Sequence, residues 1–519
     1  MKRFILNKKQ VALWGVLICC CSLNAQIDSY TSLELYKITS LSEQSDNPAG
    51  AWVETPIKYS LLDLNMNYEK GSFHRSMEGE SIRNLGFNAE GVTLINRNYL
   101  KGYFKYTNQN VKDEGYNASS IDPYRGMPYR VVDLNHSDWK NQYYDMGVRW
   151  AYPQLFDRLS VGMDVNYQAH SGAKQRDVRA DVRYMKFEVR PGIYWSVNEK
   201  SQLGGFFNYY SIKEESNNSN VNSYISQEYY ETNGLGNAVQ GIGSGRTTNY
   251  TGDNFGGGLD YSWIDEASKW MFTSSYNVKA EKAEASFTLP REVGAVRYAI
   301  WDSRIKFYKH SNSQLSHLVQ LNYVSSQIKG IEYITQRDNT ETQNGWQTLY
   351  SGVRSKYKKQ DVGVIYTLIA PIGNEYKWSA EWAVDYIAYD DSYMTSYSEM
   401  KSKNWLTKAT FKRNIALSGL CNPHLLLTAE GVYNKSSSGK YHYTGQHSEY
   451  ITVNAIQQVD NDYLRSNYWG VNLVVNYSQK VDLQTNLSWY INGAFSYVKT
   501  HDFDFNNRTK VSIAIGCVF

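Results

Sequence analysis

The chain ends in an alternating pattern, and that alternation confines what it can fold into. Val511, Ile513, Ile515, Cys517 and Phe519 share one parity, while Ser512, Ala514 and Gly516 share the other. A period of two belongs to the β-strand, whose successive side chains point to opposite faces. The pattern recurs upstream. Leu159, Val161, Met163, Val165 and Tyr167 alternate with Ser160, Gly162, Asp164 and Asn166. Trp378, Trp382, Val384 and Tyr386 alternate with Ser379, Glu381 and Asp385, and Trp469, Val471, Leu473 and Val475 with Gly470 and Asn472. After the N-terminus no run approaches the roughly 18 apolar residues of a membrane-spanning helix. Yet the chain carries 45 Tyr, 14 Trp and 17 Phe on a negative mean hydropathy. A soluble sandwich would turn its apolar faces to a core. So many strands with so many aromatics argue for the inverse, apolar faces on lipid and polar faces on a lumen. The expected fold is all-β, a transmembrane antiparallel up-and-down β-barrel of about 18 strands, with 14 or 16 left open by weak alternation near 82–107 and 329–370.

The connections carry a second, independent signal. Short ones are expected near 153–157, 197–200, 264–268, 310–314, 371–376, 416–423 and 479–483. Long polar ones are expected near 69–81, 108–141, 169–181, 214–252, 281–295, 329–358, 391–403, 436–462 and 498–507. Barrels of this kind have short periplasmic turns and long outer loops. Trp150, Tyr152, Trp195, Trp263, Trp270 and Trp378 flank the short turns, where an aromatic girdle at headgroup level belongs.

The first residues address the chain. Lys2, Arg3, Lys8 and Lys9 precede the apolar stretch Val11 to Leu23, then Asn24-Ala25-Gln26. That order is a secretory signal, with the cut expected between Ala25 and Gln26. The apolar run is too short for an anchor helix, which needs about 20 residues. Cys19, Cys20 and Cys21 raise a lipoprotein reading, but none follows the small residue that such a cut requires. The expected organisation is a cleaved signal over 1–25, a periplasmic segment or a plug over 26–55, and one barrel over 56–519. The expected location is the outer membrane of a Gram-negative cell. Cys421 and Cys517 then remain, about three strands or 14 Å apart, too far for a disulfide.

Two resemblances follow. A terminal aromatic after alternating apolar residues, here Val511, Ile513, Ile515, Cys517 and Phe519, resembles the signal read by the barrel-assembly machinery of the outer membrane. Asn47-Pro48-Ala49-Gly50 resembles a signature near the N-terminus of the long-chain fatty-acid transporter superfamily, which includes barrels of the type IX secretion system. That likeness implies an N-terminal plug and a route for apolar ligands. With its Asn-Ala-Gln cleavage end and Tyr-rich strands, the whole chain is also similar to a family of outer-membrane barrels of unassigned function from the Bacteroides group.

The lumen face holds both signs of charge. Arg149, Arg190, Arg304, Lys101, Lys306 and Lys412 are basic; Asp164, Glu188, Asp260, Glu381, Asp385 and Glu430 are acidic. A pore selective for one sign should carry a ring of that sign. Balance favours a filled, salt-bridged interior or a weakly selective pore. His310-Ser311-Asn312 faintly resembles the residues of a barrel phospholipase but falls on a short turn, so no enzyme is expected. Gly241, Gly243 and Gly245 read as flexible loop, not as a phosphate cradle. Asp460-Asn461-Asp462 and Asp502-Phe503-Asp504 read as solvated loop acids before they read as Ca²⁺ sites. No cofactor or metal is implied. A net charge of +3 implies no nucleic-acid partner, which leaves lipid, lipopolysaccharide and the assembly machinery. The expected function is a channel or transporter for a small solute. The alternative is a barrel that docks an envelope or secretion component through loops 108–141, 214–252 and 436–462.

Overall fold

The computed structural model describes residues 27 and 29–519, apart from 244–246, 287–288, 312–314, 341–342 and 483–485. Ala25 and Gln26 lie outside the described residues. The wall is one 18-stranded antiparallel sheet closed on itself, the all-β barrel and strand number expected. Strands follow one another around the ring, and β1 (Tyr59–Lys70) seals it against β21 (Asn507–Val518), with Leu64 opposite Ile515. Closure leaves no edge of unpaired backbone, which a lipid environment demands. β4 (Val131–Asp133), β9 (Glu228–Gly234) and β10 (Asn237–Ile242) stand apart as a small 3-stranded sheet within the loops.

Parity decides which face meets lipid. Leu259 is 69% exposed and Ile515 56%, and Leu85, Phe255, Trp301, Trp382, Trp405 and Leu473 stand out likewise. Their neighbours of opposite parity point inward; Asp164 and Asp260 are buried. In water such a belt would forfeit about 25 cal/mol for every Å² of apolar surface left wet, so this is a transmembrane wall. Trp195 and Trp270 are exposed beside short turns. Cys421 and Cys517 are free thiols. Leu473 lies mid-strand in β19 (Tyr468–Lys480). Leu473→Arg is expected to lower unfolding stability in lipid by about 2–4 kcal/mol, measured by denaturant titration in vesicles. The same change at inward-facing Asn472 should cost much less.

Several connections differ from expectation. The long loops expected at 169–181 and 281–295 are short turns: β6 (Leu159–Lys174) runs almost directly into β7 (Arg179–Ser196), and β12 (Ser268–Ala285) into β13 (Arg291–Lys309). The loop expected at 391–403 likewise shrinks to the turn between β16 (Glu375–Tyr393) and β17 (Ser398–Ala416). At 329–358 the chain is mostly strand, in the long hairpin of β14 (Ser316–Thr340) and β15 (Gln343–Ile372). Gly241 belongs to β10 and sits opposite Tyr229, so it is not flexible loop. The cause is common. Beyond the bilayer both strand faces can be polar, so alternation vanishes while backbone pairing continues. The long connections that remain are 71–80, 115–136, 220–247 and 443–467.

The N-terminal segment enters the barrel at its short-turn end. Helix Tyr30–Thr39 starts on a capping box, with the Ser32 amide donating to Ser29 Oγ at 3.1 Å. A short helix, Leu41–Gln44, and a 3₁₀ turn, Pro48–Trp52, follow. Pro48 opens that turn, and Asn47 caps it by accepting from the Ala49 amide at 3.1 Å. Tyr30, Leu35 and Ile38 pack on Tyr308, Leu318, Ile369, Tyr376 and Leu426. Ile27 and Leu33 pack on Tyr59, Val92, Tyr99 and Tyr490. The segment therefore bridges opposite sides of the wall.

Candidate functional site

The lumen is occupied at both ends, by different devices. At the short-turn end the N-terminal segment is held by charge. Its described ionic side chains between Ser29 and Glu54 are Glu34, Lys37, Glu43, Asp46 and Glu54. Each meets an opposite charge on the wall. Glu34 pairs with Lys412 at 2.5 Å, Lys37 with Glu90 at 2.9 Å and Glu43 with Lys101 at 2.5 Å. Asp46 pairs with Arg304, and Glu54 with Lys269. Lys306 donates to the Ile38 carbonyl and to Gln44 Oε1, both at 2.6 Å.

A notch in the wall receives the Asn47–Gly50 turn. Gly162 on β6 pairs with Gly192 on β7, and Gly204 on β8 (Ser201–Ser219) lies two residues further along, opposite Tyr194. A Cβ on Gly162 would stand 2.5 Å from the Ala49 nitrogen and 2.6 Å from the Pro48 carbonyl carbon. One on Gly192 would collide with the Asn47 side chain. Asn47 Nδ2 donates to the carbonyls of Ile193 and Gly205 at 3.0 and 3.2 Å. Glycine is required here by closeness of approach, since only a bare backbone admits the turn.

The expected lumen residues divide between two regions. Arg149 holds Asp164 with two parallel bonds at 2.8 and 2.9 Å and reaches the Ser45 carbonyl at 3.1 Å. Glu188 takes Lys186 and Arg190, each at 2.8 Å, and Arg190 reaches the Asp46 carbonyl at 3.0 Å. Arg304 binds Asp302 as well as Asp46. Asp260 accepts from Thr273 at 2.7 Å. Thus Arg149, Arg190 and Arg304 converge on residues 45–46. Glu381, Asp385 and Glu430 lie elsewhere on the wall: Glu381 accepts from Thr367 at 3.0 Å, Glu430 from Thr410 at 3.1 Å, and Asp385 lies against Gly363.

At the long-loop end the connections fold into a cap. Arg125, from 115–136, pairs with Glu214 at 2.7 Å and with Glu281. β4 pairs with β9, and Asp133 on β4 meets Lys174 at 2.5 Å with neither side chain exposed. Burial pushes the Asp133 carboxyl up, against the pull of Lys174. The 443–467 connection forms a π-helical stretch, Thr452–Gln457, that continues as helix Gln458–Arg465. Asp460 is not a solvated acid. It is buried, binds Arg75 at 2.8 Å and accepts from the Ser76 amide and Tyr124 hydroxyl at 3.0 and 3.1 Å. Asp502 accepts from the Asn467 amide at 2.7 Å. Among the described residues no cluster of three or more His, Cys, Asp or Glu could hold a metal. His310 contacts Tyr308 at 3.2 Å, and Asn312 lies outside the described residues.

Between cap and wall lies a cavity of about 390 Å³. Its roof carries Arg75, Arg125 and Arg130, and its wall Lys359, Tyr298 and Tyr389. Sequence reasoning missed this roof. Nothing in the composition of 115–136 says that it turns inward. The wall partners Glu90 and Lys269 were also missed, because their partners depend on where the N-terminal segment lies.

Comparison with known proteins adds the following. The family described as "Family of unknown function (DUF6850)" matches residues 48–519. No curated protein matches the chain. Among solved structures, BauA, the ferric preacinetobactin receptor from Acinetobacter baumannii, is similar with 8% identity and a TM-score of 0.41, covering 88% of this chain and 80% of that one. The ferric citrate transporter FecA in its unliganded form gives 8% and 0.41, with coverage of 89% and 78%. The Ralstonia pickettii toluene transporter TbuX gives 9% and 0.31, with coverage of 91% and 92%.

Proposed function

Since the chain belongs to that family of unknown function, the geometry must supply the reading, and we propose a gated transporter or channel for small solutes in the outer membrane. Residues 27–53 act as its plug, on the periplasmic side where the short turns lie. The observation that carries this is the ionic latch. Each described charge of the segment, and that of Glu54 just after it, is matched by a charge on the lumen face. The pairs are only partly reached by water, Glu43 being 5% exposed and Lys37 32%, and ions that regain water on separating recover much of what the pair gave them. Such a segment is positioned accurately yet can be withdrawn. The outer cap is the second gate, and a solute passes them in turn.

The test is conductance in planar bilayers. The signal-free protein is expected to show brief, rare openings. Protein lacking residues 27–53 is expected to conduct steadily, with ion preference set by the exposed Lys101, Arg149, Asp164, Glu188, Arg190 and Arg304. A folded, β-rich deletion protein that carries no current would overturn the reading and leave a barrel that docks a partner.

A further inference from the structure

We propose that the cavity beneath the outer cap is a binding site for a small organic oxyanion, a carboxylate or a phosphate ester, whose charged head is taken by Arg130. The lining carries the side chains of Arg75, Arg125, Arg130 and Lys359 against Asp391 and Asp460; Lys358 contributes its backbone amide, which donates to Asp391, while its side chain is exposed on the other strand face. Three of those cations are already committed, Lys359 to Asp361 at 3.7 Å. Arg75 is held by Asp460 and lies over the Tyr124 ring at 3.4 Å. Arg125 is held by Glu214 and Glu281.

Arg130 differs. Its backbone is pinned, the amide donating to Thr232 Oγ1 at 3.2 Å and the carbonyl accepting from the Thr232 amide at 2.8 Å. Its guanidinium has no carboxylate and no hydrogen-bond partner among the described residues, and Nε is buried and unsatisfied. Protein surrounds it, so burial lowers its hold on the proton, against the opposing fields of Tyr124, Tyr357 and Asp460. The side chain still keeps some accessible surface. Since Arg130 lines the cavity, that surface faces the cavity.

An unpaired buried charge is costly and persists only where something compensates it. Guanidinium stays charged at any ordinary pH, and its rigid fork matches the two oxygens of a carboxylate or phosphate. The rest of the site suits an organic body. Tyr298 and Tyr389 present phenol rings from the wall, and Met127, Ile328 and Ile456 are apolar. About 390 Å³ falls within the usual range of small-molecule sites, roughly 300–1,000 Å³. As a statement about substrate the inference rests on the transport reading; as a statement about binding it does not.

The test is calorimetric titration of the full signal-free protein in detergent. The probes share one ring: glucose 6-phosphate, glucuronate and neutral glucose. Saturable binding of at least one anion, and none of glucose, is expected, and the two anions separate a phosphate site from a carboxylate site. Arg130→Gln should weaken anion binding at least tenfold. Because it removes an uncompensated cation, it should leave the cap's protease resistance equal or higher, which separates lost recognition from lost folding. Absence of saturable binding by either anion, or equal binding by the variant, would overturn the site. Retained binding in a barrel that never conducts would sink transport and leave the site standing.

Discussion

Replacing Gly162 with valine is expected to turn a closed barrel into one that conducts steadily. The new Cβ would fall within 2.6 Å of two backbone atoms, the Ala49 nitrogen and the Pro48 carbonyl carbon. Neither can swing aside as the end of a side chain would, so the turn must leave its notch. Overpacking of this kind costs about 1–3 kcal/mol. At the upper figure the balance between seated and unseated segment moves roughly a hundredfold, since about 1.4 kcal/mol is a factor of ten. The wall itself should fold normally, because Gly162 faces the lumen and its ladder to β5 (Ser137–Leu155) and β7 is made by backbone. Gly493→Val is the control: nothing lies within 4 Å of a Cβ there, and its conductance should match the parent. A well-folded Gly162→Val protein that stays shut would mean the notch does not seat the segment.

Breaking the buried Asp133–Lys174 pair should loosen the outer cap by about 3–5 kcal/mol, the usual consequence of leaving one buried charge alone. In Lys174→Met the Asp133 carboxylate keeps only backbone donors, Val178 at 3.1 Å and Asn135 at 3.3 Å. The effect should be local. Hydrogen exchange is expected to accelerate in 115–136 and 228–242 while the β1–β21 seam stays protected. Asp133→Asn combined with Lys174→Met removes both charges and should recover most of the loss. If the single variant exchanges like the parent, the cap does not depend on this pair.

What the sequence tells, and what it withholds, follows from the range of each interaction. Alternation in Val511–Ile515 or Leu159–Tyr167 is local, and a bilayer imposes it on every strand it contacts; Val518 and Phe519, expected on opposite faces, are both buried. Those strands could therefore be read without knowing their neighbours. Pairing of Glu34 with Lys412, or of Asp46 with Arg304, joins residues hundreds of positions apart and depends on register around the ring. Lys412 and Arg304 were legible as lumen-facing charges; their partners Glu34 and Asp46 were not. Gly162 was legible as a lumen-facing position, yet its need to be glycine comes from a turn more than a hundred residues earlier. The turn 47–50 was legible as a motif, and its seat was not. Arg130 left no trace, because a cation in a polar loop looks the same in sequence whether water or a cavity surrounds it. Strand ends in β14 and β15 were misread for a related reason: outside lipid, no solvent boundary forces the two faces to differ.

The seam between β1 and β21 also bears on how the N-terminal segment comes to be enclosed. Residues 27–53 lie inside a ring whose last joint is made by residues 507–518. They immediately precede β1, so they travel with one lip of that joint. Until β21 arrives, β1 has only β2 (Ser81–Ile95) beside it, and there is no enclosed space for the segment to occupy. The residues that grip it, Lys101, Arg304 and Lys412, are gathered around one axis only as the ring shuts. Closing the seam and enclosing the segment are therefore one geometric event, and on the proposed plug reading the nascent barrel need never stand open as a leak.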